Sequence, residues 1–303
     1  MKTFWMLVRR EYWEHRMLWI TPAVIAGLLL LSVSSFGAIH TVHLRGDVNL
    51  GGGAAPLTGD VFGFLTLAMS LPFYLAAAIL AFIYLADCLY AERRDRSILF
   101  WKSLPVSDRE TVLAKLFTGL VLIPFGCFLA AALTSIGASA IVALRAVLGL
   151  VGNLPIWDTG AWLHAKGVEL YALVALVLWY APYAAYLLLA SAWAKRSVYA
   201  WAFIPPVMLV VLERTVFGTG YVRGFIRRGF NELFRLVFHL NGQADRVAGA
   251  VAPGLPPTVA HDGPWAGMDP RPLLQSLPFW VGLVLAALMV WAAIALRERA
   301  AEA

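Results

Sequence analysis

The run Leu116–Leu144, LFTGLVLIPFGCFLAAALTSIGASAIVAL, carries no charged residue. A helix needs about 20 residues, rising 1.5 Å each, to cross a hydrocarbon core of ~30 Å. This run exceeds that length. Outward from it lie five more charge-free runs: Met17–Ile39, Val61–Ala86, Leu170–Ala194, Ser197–Leu212 and Pro272–Leu296. Four of them are long enough to span. Ser197–Leu212 is short and holds Pro205 and Pro206, so it spans only by extending through Glu213 and Arg214 to about Phe217.

Hydrophobic residues make up 61% of the 303-residue chain and charged residues 14%. Soluble domains run at roughly 45–50% apolar and about 25% charged. A soluble fold of this size cannot hide so much apolar surface, whereas a bilayer solvates it. The expected fold is an all-α polytopic membrane protein with six transmembrane helices, as a single membrane domain over 1–303. The first run is too long for a signal-peptide core and is expected to stay as an anchor.

The formal charge of +6 sits at the ends of the apolar runs. No basic face interleaved with aromatics is evident, so nucleic acid is not an expected partner. With the N-terminus inside, the inner segments hold Lys2, Arg9, Arg10, Arg16, Arg93, Arg94, Arg96, Lys102, Arg109, Lys115, Lys195, Arg196, Arg297 and Arg299. The short outer loops hold Arg45, Arg145 and Lys166. This bias sets an N-in/C-in orientation. It leaves 213–271 as a long extracytoplasmic loop, and long loops weigh little in the rule.

The stretch Tyr90–Lys115, YAERRDRSILFWKSLPVSDRETVLAK, lies on the inner side, within the segment 87–115. It begins with Glu92 and Arg93 as a charged continuation of the second span. An apolar knot follows, Ile98-Leu99-Phe100-Trp101, and then Lys102. Leu104-Pro105 interrupts the helix, because the residue before proline avoids the α region. Ser107 then fits an N-cap, with Glu110 three residues on. Together these make a helical elbow with an aromatic tip, the kind of surface that meets a partner protein or the lipid interface.

The order of Glu92, Arg93, Ser97, Leu99, Leu104, Pro105, Val106, Ser107 and Lys115 between the second and third spans resembles the permeases of type-2 ABC exporters. That resemblance implies that the elbow, centred on Ser97–Pro105, is a coupling helix docking on a separate cytoplasmic ATPase subunit. It implies a second permease subunit, identical or homologous, and placement in the inner or plasma membrane of a prokaryote. It also implies that ATP and magnesium are bound by the partner and no cofactor by this chain. The chain has no GxxxxGK[ST] phosphate loop, so ATP hydrolysis by this chain itself is not expected.

Residues 1–16 mix Phe4, Trp5, Tyr12 and Trp13 with cations, as an interfacial helix does. Tyr221–Leu240 separates arginines from apolar residues and reads as an amphipathic helix on the outer leaflet. Ionisable residues are nearly absent from the runs; Asp87, Glu169, Glu213 and Arg214 stand at their ends. Neutral Thr66, Ser70, Thr134, Ser135, Ser139 and Ser191 suit hydrogen bonds between helices better than a substrate path. Cys88 and Cys127 read as reduced thiols, and the loop histidines His40, His43, His164 and His261 as solvated residues. Two rival functions remain. A lipid-metabolising membrane enzyme lacks a visible nucleophile, metal or acid–base set. A non-transporting scaffold would use the aromatic tip for a partner other than an ATPase.

Overall fold

In the computed structural model the described residues are 2–35, 58–95, 107–150, 157–194, 197–220, 224 and 270–299. All regular elements among them are helical. Helix α1 is Lys2–Glu14, α2 Met17–Ser35 and α3 Thr58–Arg94. Helix α4, Asp108–Phe117, runs through a π-helical turn at Thr118–Leu122 into α5, Ile123–Val147. Helix α6 is Thr159–Trp193 and α7 Val198–Leu212. The short α8, Arg271–Gln275, precedes α9, Leu277–Arg299. Six helical stretches are long and apolar enough to cross a membrane. The amphipathic stretch read over Tyr221–Leu240 lies outside the described residues, Gly224 excepted.

Large apolar side chains stay uncovered along these helices. Leu133 is 70% exposed and Trp291 69%. Such exposure is unfavourable in water and natural against lipid tails. The fifth stretch reaches spanning length as the sequence required: α7 continues through a second π-helical turn, Glu213–Phe217, and stops at Gly218. Gly218 has φ 62°, the left-handed conformation that glycine adopts without cost when it ends a helix.

Helices α3, with 37 residues, and α6, with 35, are each about 50–55 Å long at 1.5 Å per residue. Both overrun the ~30 Å core. One consequence corrects the sequence reading: Lys166, expected in an outer loop, lies inside α6 and is buried. A second correction concerns the last run. Its helix begins at Leu277 and not at Pro272, because Ser276 is extended and parts α8 from α9. The break puts Pro278 in the first turn of α9, where a missing N–H costs nothing. The carbonyl of Leu274, left without a helical partner by the break at Ser276, accepts from Trp280 Nε1 at 2.8 Å.

The chain divides into two compact units. The first comprises Met1–His15, Ile79–Pro124 and Tyr171–Ala303. In it, Leu7 and Val8 of α1 pack against Ala114 of α4, with Phe4, Phe117 and Leu122 around them. Trp179 of α6 and Phe279 of α9 stack with centroids 6.5 Å apart. Gly119 sits in the first π-helical turn, where an added Cβ would lie 2.5 Å from Leu85 Cδ2, so glycine permits the close approach to α3.

The second unit comprises Arg16–Ala78 and Phe125–Leu170. Here Arg145 Nη1 donates to the carbonyls of Val33 at 2.7 Å and Ser34 at 2.8 Å. These bonds close the C-terminal end of α2, where helical carbonyls lack partners of their own. Trp162 Nε1 donates to Ser135 Oγ at 3.0 Å, joining α6 to α5.

Candidate functional site

The inner flank of α1 carries Phe4, Leu7, Val8 and Glu11 at helical spacing, a carboxylate placed in an apolar stripe. Docking that stripe on α4 buries Glu11 to 1% exposure. Its Oε1 accepts from Lys115 Nζ at 2.9 Å, and its Oε2 from the Tyr84 hydroxyl at 2.8 Å. Arg10 lies 2.7 Å away and His15 Nε2 3.5 Å. Burial alone would raise the Glu11 pKa. The charge of Lys115 opposes it most strongly, and hydrogen bonds from His15 and Lys115 and the charge of Arg10 add to that. The net position is well below the ordinary 4.5, because paired cations favour the charged carboxylate.

Lys115 continues the cluster. Its Nζ also reaches Glu92 Oε1 at 3.2 Å. Glu92 Oε2 accepts from Arg297 Nη1 at 2.6 Å, and Arg297 Nε donates to Asp108 Oδ1 at 2.7 Å. Arg10 adds a contact to Glu92 at 3.6 Å. Three carboxylates thus meet three permanent cations from four helices: α1, α3, α4 and α9. Isolated, any one of these charges would be strongly disfavoured when buried; paired, they are tolerated.

The elbow residues singled out from the sequence divide by position. Glu92 and Lys115 are brought together, and both point inward, 8% and 3% exposed. Ser107 caps α4, its Oγ accepting from the Glu110 N–H at 3.2 Å. This is the bond that the capping pattern required. Arg93 turns elsewhere: its Nη2 donates to the carbonyls of Ser191 and, at 3.1 Å, of Ala194. Carbonyls at the end of a helix such as α6 lack a helical partner. Ser97, Ile98, Leu99, Phe100, Trp101, Lys102, Leu104 and Pro105 lie outside the described residues.

Sequence reasoning missed Glu11, Tyr84, Asp108 and Arg297. The signal for Glu11 was present, since a lone carboxylate in an apolar helical stripe asks for a buried cation. For Arg297, a residue that counts toward orientation, no local signal exists.

A second cluster lies in the other unit. Glu169 and Lys166 of α6 pair at 3.0 Å. The Ser70 hydroxyl donates to Glu169 at 2.7 Å and accepts from Lys166 at 3.0 Å, and Tyr74 donates to Glu169 at 3.2 Å. Both carboxylate oxygens and the ammonium have partners, so the group fastens α3 to α6. Two further neutral hydroxyls also bond between helices, and two others do not. Ser191 Oγ accepts from the amides of Leu89 and Tyr90 at 3.1 Å, and Ser135 accepts from Trp162. Thr134 and Ser139 bond back to their own helix. Cys88 and Cys127 are free and buried. Among the described residues, no three His, Cys, Asp or Glu side chains gather closely enough to hold a metal ion.

Set against known proteins, the chain matches no family model, no curated protein and no solved structure.

Proposed function

We propose that this chain is the membrane-spanning permease subunit of an ATP-driven exporter of the ABC type-2 class. In this reading it forms a translocation path with a second permease copy or homologue. A separate cytoplasmic ATPase subunit, with its own ATP and magnesium, docks on the elbow centred on Ser97–Pro105. The chain itself performs no hydrolysis and lies in the inner or plasma membrane of a prokaryote, with both ends inside.

The observation that carries the reading is the pattern of the elbow: a charged end of α3, an apolar aromatic knot, a proline break, and a helix re-started at Ser107. Its support is the resemblance of that pattern to the coupling segment of such permeases. Six helices of spanning character agree with it. So does the way both limbs of the elbow are fixed at their bases, since a segment that transmits force needs stiff supports.

The test is the combined variant Leu99→Ala, Phe100→Ala and Trp101→Ala. Apolar anchors of this kind each contribute about 1–4 kcal/mol at an interface. Association with the ATPase is expected to fall by at least a hundredfold while the chain's helical content and insertion are kept. Unchanged association would remove the reading.

A further inference from the structure

Helix α1 has an apolar side that is covered and an aromatic side that is not. The face carrying Phe4, Leu7, Val8 and Glu11 is turned onto α4 and the buried charge cluster. Trp5, Met6, Arg9 and Trp13 fall on the opposite side, at about 100° per residue. Trp5 is 58% exposed, Met6 63% and Trp13 62%. Arg9 stands four residues from each tryptophan, so Trp5, Arg9 and Trp13 form one stripe along the helix. Arg9 is exposed, and no described residue gives it a hydrogen bond or an ion pair. Its neighbour Arg10, by contrast, is held by Glu11 and Glu14.

A helix whose outer side faces water carries polar residues there. The outer side of α1 is mainly aromatic, and the level at which α1 sits says what meets it. The charge-free runs end at Ala86 on α3 and begin at Leu116 on α4. The second half of α1 is fastened at that boundary, through Glu11 to Tyr84 and Lys115. The first half meets the same boundary where Trp5 stands edge-on to Phe117, centroids 5.8 Å apart. Leu113, one turn before Phe117, is itself exposed, part of the apolar surface that suits lipid. The end of a charge-free run is where headgroups meet hydrocarbon. Tryptophan concentrates in that layer, with an apolar ring and one N–H for the polar side. A guanidinium there meets phosphate in paired hydrogen bonds. An uncompensated cation at a membrane surface favours acidic lipids.

We propose that the outer face of α1 is a lipid-binding surface, on which Trp5 and Trp13 enter the headgroup layer and Arg9 between them takes the phosphate of an acidic phospholipid. Composition alone pointed to an interfacial helix without saying which residues meet the lipid. The fold sorts them, turning Phe4 inward and Trp5, Arg9 and Trp13 outward. Because α1 is already held through buried charges, the stripe is presented ready-made and lipid binding has little to order. The site is independent of the permease reading.

The test uses the full-length chain in lipid nanodiscs, which leave both membrane faces open to solvent. Met6→Cys carries a nitrobenzoxadiazole fluorophore; the native Cys88 and Cys127 are buried. Quenching is read with aqueous iodide and with phosphatidylcholine or phosphatidylglycerol bearing a nitroxide near the top of one acyl chain. The lipid quenchers are expected to act and iodide to have little effect. Phosphatidylglycerol is expected to quench at ~fivefold lower content than phosphatidylcholine, the effect of one basic residue at a charged surface. Arg9→Gln, on an exposed side chain, is expected to abolish that preference while lipid quenching itself persists. Strong iodide quenching would mean a face in water, and shielding from both quenchers a face covered by protein; either overturns the proposal. Equal quenching by the two lipids, or a preference that survives Arg9→Gln, overturns it as well.

Discussion

Glu11 concentrates the physical logic of this protein in one side chain. It is fully buried, ionised, and held by Lys115, Tyr84, Arg10 and His15. Removing it leaves Lys115 with half its compensation. Breaking a buried pair from one side costs of the order of 3–5 kcal/mol. Glu11→Ala is therefore expected to lower the thermal midpoint of the detergent-solubilised chain by several degrees or more. The sign of the pH effect follows from the depressed pKa. The contribution of Glu11 is complete above the ordinary value of 4.5 and is lost as pH falls below it. The stability gap between wild type and Glu11→Gln should be widest near pH 7 and shrink on acidification toward pH 3. A gap that stays constant with pH would show that the carboxylate charge is not what stabilises α1.

At the scale of the helices, the prolines explain where side-chain donors go. Proline has no N–H, so the carbonyl four residues earlier loses its helical partner. Pro205 frees the carbonyl of Trp201, and the Tyr186 hydroxyl donates to it at 2.9 Å. In an apolar surrounding an unmet carbonyl is unfavourable, which lets proline persist inside spans when a neighbour supplies the bond. Tyr186→Phe is expected to destabilise the chain by about 0.5–1.5 kcal/mol, the usual worth of one such bond. In a Pro205→Ala background, where the helix regains its own N–H, the same change should cost markedly less. Equal costs in both backgrounds, measured by denaturation in detergent, would refute the compensation. The same reasoning covers Arg93 and Arg145, each of which supplies N–H groups to the carbonyls that end a neighbouring helix.

For the whole molecule, the apolar runs read from the sequence give the helical class and the six stretches of spanning character, because burial in lipid is written locally, residue after residue. The Ser107 cap was legible for the same reason: its signal fits within four residues. Helix lengths were not. Lys166 and Glu169 look like the end of an apolar run, yet α6 carries both inside it, because Ser70 and Tyr74 satisfy them from another helix. Nor was the Glu11–Lys115–Glu92–Arg297 cluster legible as a whole, since its members are up to 205 positions apart in a bonded pair and no local pattern joins them. What it does to the molecule is clear in physical terms: it binds α1, the end of α3, the start of α4 and the end of α9 into one charged joint.

The central proposal is that the chain is a permease whose segment between α3 and α4 docks on a separate ATPase. The most direct measurement is to solubilise native membranes gently, recover the tagged chain, and identify and quantify every protein that comes with it. The account predicts a soluble protein bearing a nucleotide-binding phosphate loop, in near one-to-one ratio with the chain. Recovery of the chain without any such protein, even after mild crosslinking, would contradict it.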